Sequence, residues 1–297
     1  MERLETSTVQ ETHETVRAQG DVARRGSVPW SRMLVVVWGL IVGLPLLWML
    51  VGSLKSNQEI FGSPLTLPSE WRWENYSTVL IEEGMGRAFA NSLVVVSVAV
   101  PGVLLIGAMA AHVLTRARFR AAGLITWAFL GGLAVPLLLG IVPLFDLLTN
   151  LGLVNNLLGY SLVLVAYQLP FTIYLLYPFF QSIPRVMEEA AMVDGCSGPR
   201  VFWHVMLPMA GAGLAAAGIF NFIYMWNEYT LALILLNDES ARTLPVQVGR
   251  LMFRSQFLVD WGAMFAGLVV SAAPPFLGYL LLKGHLAKGF RAGAVKE

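Results

Sequence analysis

Residues 92–114 read SLVVVSVAVPGVLLIGAMAAHVL, an unbroken apolar run without an aspartate, glutamate, lysine or arginine. A helix rises about 1.5 Å per residue, so roughly 20 such residues cross the hydrocarbon core of a bilayer. Five further stretches have the same character: Met33–Ser53, Ala121–Phe145, Leu157–Phe180, Met209–Leu236 and Gly262–Leu282. All six lack aspartate, glutamate, lysine and arginine except Met209–Leu236, which holds Glu228. The pattern predicts an all-α membrane protein with six transmembrane helices. Its parts are a cytoplasmic, disordered tail over 1–32, a first span over 33–53, an outer loop over 54–91, a core membrane domain over 88–282 with an inner loop at 181–208, and a tail over 283–297. The stretch 1–31 is polar and charge-rich, and lacks the apolar core of a cleavable signal.

Composition agrees. Hydrophobic residues make up 56% of the chain and charged residues 13%, against about 25% charge in soluble domains. A net charge of +1 gives no basic field for nucleic acid. The single cysteine, Cys196, excludes an internal disulfide framework and a CxxC pair. With the N-terminus inside, the inner segments hold 14 of the 20 basic residues and the outer loops 6; Arg116, Arg118 and Arg120 crowd one short inner loop. This asymmetry places both termini in the cytoplasm. Trp30, Trp38 and Trp48 bracket the first span, as interfacial aromatics do. Trp71 and Trp73 suit either the headgroup level or packing within a folded loop. Gly131–Gly132 and Ala210–Gly213 let helices approach closely, and Pro101, Pro136, Pro143 and Pro170 should bend their spans.

The longest inner loop between spans carries more structure than a connector needs. Its sequence from Ile183 is IPRVMEEAAMVDG. Pro184 suits a first helical position, Glu188 and Glu189 the positive end, and Gly195 a left-handed stop. Ser197 can cap a second short helix, opened by Pro199 and running through Met206, and Pro208 then opens the fifth span. Val186, Met187, Ala190 and Val193 can share a face. Such a helix can dock in a partner's groove or lie on lipid.

The run Glu189-Ala190-Ala191, with Gly195 six positions after Glu189 and then Leu207-Pro208, resembles the Glu-Ala-Ala loop of ABC importer permeases. Trp226-Asn227-Glu228-Tyr229 is similar to the signature of carbohydrate-type permeases. The ending from Gly289 to Lys296 resembles the tail of the second permease subunit of maltose-type importers. The resemblance covers nearly everything after residue 55 and implies the type I importer (ABC transporter type-1) permease fold. It implies that Glu188, Glu189, Ala190, Ala191, Asp194, Gly195, Leu207 and Pro208 form a coupling loop on an ATPase dimer. It also implies a homologous sister permease, an extracytoplasmic solute-binding protein, location in the bacterial inner membrane, and a sugar or oligosaccharide as cargo, with glycerol-phosphate compounds as an alternative. Gln247, Arg250, Arg254 and Phe257 then fall where a binding protein docks, or merely in a solvated connector. Gly293, Ala294, Val295 and Lys296 fall where the tail reaches the ATPase.

The chain has no Gly-Lys pair and hence no Walker-type nucleotide loop. ATP and magnesium are expected on the partner ATPase, with no cofactor or metal here and no catalytic residues. Asn221, Tyr224, Asn227 and Glu228 recur at three- and four-residue spacing. They suit either a pathway wall or a hydrogen-bonded helix interface. A proton-coupled transporter would use Glu228 as carrier, but that class shows more intramembrane ionisable residues and repeat symmetry.

Overall fold

Hydrocarbon offers no partner to a peptide group, so chain that enters it coils into helices. The computed structural model describes residues 29–116, 121–258 and 260–294, and these hold helices and no strand. Residues 1–28, most of the expected tail, lie outside the described residues, as do Arg118, Arg120, Val295 and Lys296. Two units are distinguished, Met1–Val51 and Gly52–Glu297. In the first, helix α1 (Pro29–Gly52) exposes apolar side chains all round, including Trp38, Ile41, Leu44 and Leu47. An all-round apolar helix of this length suits lipid.

The second unit starts with a folded segment holding α2 (Asn57–Gly62) and α3 (Glu74–Ser77). Ser56 and Glu59 cap each other's backbone at the start of α2. Glu59 also accepts hydrogen bonds from the hydroxyl and amide of Ser69, and these bonds, the Ser69 hydroxyl foremost, lower its pKa to about 2. Lys55 is fully buried and donates through Nζ to the carbonyl of Ser63 at 2.8 Å. Asn75 Nδ2 donates to the carbonyls of Ser53 and Lys55, at 2.9 and 3.1 Å.

The remaining helices follow: α4 (Met85–Arg116), α5 (Ala122–Gly132), α6 (Ile141–Asn150), α7 (Leu157–Ser182), α8 (Arg185–Val193), α9 (Gly198–Met209), α10 (Gly211–Asn227), α11 (Thr230–Leu235), α12 (Leu244–Leu258) and α13 (Trp261–Ala294). Among the described residues, four helices are long and apolar enough to cross a bilayer singly, in α1, α4, α7 and α13. Two bent pairs, Ala122–Gly132 with Leu137–Asn150 and Gly198–Met209 with Gly211–Asn227, bring the number to six when each pair is counted as one broken span.

The bends have local causes. Between α5 and α6 the chain turns by 95°. Pro136 disfavours helical geometry at Val135, and the amides of Leu133, Ala134 and Val135 bond three residues back to Leu130, Gly131 and Gly132. Pro136 itself is extended, with ψ 127. The expected bend at Pro101 does not break α4, nor do Pro170 and Pro178 break α7. In the fifth segment the 75° turn falls at Ala210. The expectation that Pro208 opens the long helix is therefore corrected: Leu207 and Pro208 close α9, and α10 starts at Gly211. A second break at Glu228, where ψ is 118, ends α10 before Leu236.

Helices α4 and α7 share the most extensive contact among the described helices. A Cβ on Gly107 would lie 2.7 Å from Cγ2 of Thr172, so α4 approaches α7 only because Gly107 has no side chain. Gly107→Leu should overpack this contact and cost about 1–3 kcal/mol, read as a lower Tm of the purified protein in detergent; an unchanged Tm would refute the close-contact account.

Candidate functional site

At one end of the bundle, α7 passes to α8 through an extended link, Ile183 and Pro184, with ψ 123 and 138. Pro184 is the residue before the helix, not its first position; its carbonyl accepts from the Met187 amide at 3.1 Å. The helix stops at Gly195, which adopts φ 84. The Cys196 amide bonds to Ala191 O and the Gly195 amide to Met192 O, each at 3.0 Å. These two bonds are the Schellman arrangement, which needs a left-handed residue at Gly195. Asp194 precedes it, exposed, as the C-cap.

Helix α8 has two unlike sides. Ala191 is buried in an apolar cluster with Ala111, Leu176, Phe180, Phe202 and Met206, and Cys196 and Leu207 pack against that cluster. Glu188, 12% exposed, turns towards α4. Its Oε2 lies 2.9 Å from Nε of Arg116, and its Oε1 3.6 Å from Nε2 of His112. Arg116 also donates through Nη2 to the carbonyl of Ile183 at 2.6 Å. The His112 ring lies 5.8 and 5.3 Å from the rings of Phe180 and Phe202. The other side is open: Val186 is 67% and Val193 87% exposed, and Met187, Glu189, Ala190 and Met192 are exposed too. Neighbours in sequence, Glu188 and Glu189 thus do different things. The sequence offered Arg116 only as an orientation marker; nothing in its spacing pairs it with Glu188.

The four residues proposed as one pathway face separate. Asn221 is fully buried, donating through Nδ2 to Thr172 Oγ1 at 3.0 Å and approaching Gln168 at 3.4 Å. This pins α10 to α7. Tyr224 is half-buried and stacks on Tyr167, ring centres 6.1 Å apart. Asn227 is exposed and bonds back to Ile223 O at 2.8 Å. Glu228 leaves the helix altogether. Its carboxylate accepts from the Tyr160 hydroxyl at 2.6 Å and from the amides of Leu231 and Ala232 at 2.8 and 3.0 Å. The shared helical face is corrected for this reason: the chain turns extended at Glu228 so that its side chain can cap α11. Of the four, Tyr224 and Asn227 keep accessible surface.

At the opposite end, the segment expected as an outer connector is largely helix α12. Gln247 does not face outward: it is buried and donates through Nε2 to Glu83 O at 2.5 Å. Arg250 is exposed and, with Glu82, Glu239 and Arg242, lines a polar cleft of about 520 Å³. The side chains of Arg254 and Phe257 lie outside the described set; Gly293 and Ala294 end α13. Asn91 Nδ2 donates to Ser240 O and Arg242 O, at 2.8 and 2.9 Å, and the Leu244 amide donates to Ser92 Oγ at 2.8 Å, which fixes this end to α4.

The sequence pattern of the binding-protein-dependent transport system inner membrane components matches residues 102–291. A diacetylchitobiose uptake system permease protein of Streptomyces coelicolor is 41% identical over 266 residues, covering 90% of this chain and 88% of its own length. A trehalose transport system permease protein of Mycobacterium tuberculosis is 32% identical over 274 residues, covering 92% and 99%. Among solved structures, a bacterial ABC transporter that imports the acidic polysaccharide alginate superposes with a TM-score of 0.75 at 23% identity, over 91% of this chain and 97% of that one. The likeness in structure establishes the fold, that of a type I importer permease.

Glu228→Gln tests the reading of that carboxylate as a cap. An amide leaves at least one of its three donors unmatched, which costs about 1–3 kcal/mol. A lower Tm is expected, with transport per assembled complex within about twofold of wild type; an unchanged Tm with transport abolished would restore Glu228 to the pathway.

Proposed function

The chain belongs to the family of binding-protein-dependent transport system inner membrane components, and we propose that it is the permease subunit of an ATP-driven importer for a sugar or oligosaccharide. It is a multi-pass membrane protein and a transport subunit rather than an enzyme. The observation that carries the mechanism is the two-sidedness of α8. One edge is tied to the bundle through Glu188 and Ala191, while Val186, Met187, Glu189, Ala190 and Val193 face away from it. A nine-residue helix that holds an apolar side outward is a docking element.

In this reading both termini lie in the cytoplasm, and α8 seats in an ATPase dimer that holds the ATP and magnesium. A homologous sister permease supplies the other wall of the pathway, and a solute-binding protein delivers cargo at the far end, where the cleft at Arg242 and Arg250 offers it charged partners. The C-terminal residues Gly293 to Lys296 approach the ATPase. Closure of the ATPases on ATP moves α8, and the permease pair opens outward; hydrolysis resets it. The sugar assignment rests on relatives named for diacetylchitobiose and trehalose transport. Glu228 carries three hydrogen bonds within the protein, which leaves a proton-carrier reading without a free carboxylate in this segment.

Proteoliposomes holding the whole complex test the energy source. Radiolabelled diacetylchitobiose, as probe, should accumulate only with ATP on the ATPase side and should persist with a protonophore. Uptake driven by a proton gradient without ATP would overturn the reading. Gly195→Val should abolish the left-handed stop at a cost of about 1–3 kcal/mol and cut uptake while the complex still assembles. Wild-type uptake in that variant would count against α8 as the coupling element.

A further inference from the structure

Helix α8 is joined to the rest of the chain by two joints that lie outside helical geometry. On one side is the extended pair Ile183–Pro184, on the other the left-handed Gly195. Covalent connection alone would let a docked helix swivel between them. Arg116 closes that freedom. Its guanidinium holds the link entering the helix, through Ile183 O at 2.6 Å, and the first turn, through Glu188 at 2.9 Å. Two contacts on different parts of the segment oppose both sliding and rotation. At 13% and 12% exposure the two side chains are largely screened from solvent; such pairs are far more sensitive to loss of a partner than surface pairs.

Arg116 also ends α4, and α4 carries polar ties at both of its ends. At its far end Asn91 and Ser92 bond the segment Ser240–Leu244. Gln247 bonds Glu83 just ahead of it. A rod of 32 residues is about 48 Å long, long enough to connect the two faces of a bilayer.

We propose that Arg116 is a positioning residue that locks α8 to α4, so that movement of α8 reaches the segment Ser240–Leu244 at the opposite end through α4. The inference rests on the reading of α8 as the coupling helix. It adds a second route for the motion beside the chain connection from α9 into α10.

The test uses the assembled complex in proteoliposomes and reads solute taken up per ATP hydrolysed, a ratio that a change in yield or in general stability does not move. Arg116→Ala and Glu188→Ala should each lower that ratio by about tenfold. The double variant should be no worse than the poorer single one, because the two side chains act as a unit. A wild-type ratio in both single variants, or losses that multiply in the double variant, would overturn the lock. Should Arg116→Ala fail to assemble, Arg116→Lys decides: lysine keeps the charge but cannot hold Glu188 and Ile183 together, so a reduced ratio supports the lock and a wild-type ratio overturns it. Val193→Asp, on the open side of α8, separates the two ideas. Normal uptake in Val193→Asp would sink the docking reading itself, whereas loss there with normal ratios for Arg116 and Glu188 variants would sink the lock alone.

Discussion

A peptide group left unpaired in hydrocarbon costs several kcal/mol, and the architecture follows from avoiding that cost. Helices satisfy the demand along their length, so the informative places are the breaks. Between α5 and α6 the freed amides bond three residues back instead of four. At the start of α7, Asn156 Oδ1 accepts from the amides of Leu158 and Gly159. At the end of α10, a carboxylate takes over: Glu228 accepts from two amides of α11 and from Tyr160. The same constraint that forbids most charges in a bilayer explains this one, since it completes backbone that the turn would otherwise leave bare.

How much of this is legible in the sequence depends on the range of the interaction. Apolar runs are additive over some twenty residues, so the six segments and the all-α class stand out from hydropathy. The stop at Gly195 is legible because left-handed geometry is a property of one residue. Phase is not. A one-residue error in where a helix begins rotates every side chain by about 100°, so no spacing argument separates Glu188, which turns inward to Arg116, from Glu189, which turns outward. The face assembled from Asn221, Tyr224, Asn227 and Glu228 failed for a related reason. It assumed that the helix continues, whereas the chain leaves helical geometry at Glu228. Gln247 looked free because a connector was expected where α12 packs and buries it.

The two ends of the second unit are built differently. The end near α12 is held by polar cross-ties between segments far apart in sequence: Trp261 N to Asn57 Oδ1 at 2.8 Å, Asn155 N to Leu235 O at 2.8 Å, and the Asn91 bonds to Ser240 and Arg242. The other end is held by an apolar cluster under α8 and α9, plus the ionic contact at Glu188. Small residues between them, above all Gly107 against Thr172, bring α4 and α7 within direct backbone reach.

This division bears on what a partner can accomplish. A ligand or subunit shifts a conformational equilibrium only by its differential affinity for the two states, and inverting a 1:99 population takes about 5.5 kcal/mol. An isolated helix of nine residues is marginal in water, and a docked partner could spend that differential on reorienting α8 alone. The structure counters this with three restraints on one short element: the Gly195 stop, burial of Ala191, and the Arg116 contact with Glu188 and Ile183. Together they oppose reorientation of α8 alone, which is the condition that the proposed coupling through this helix requires.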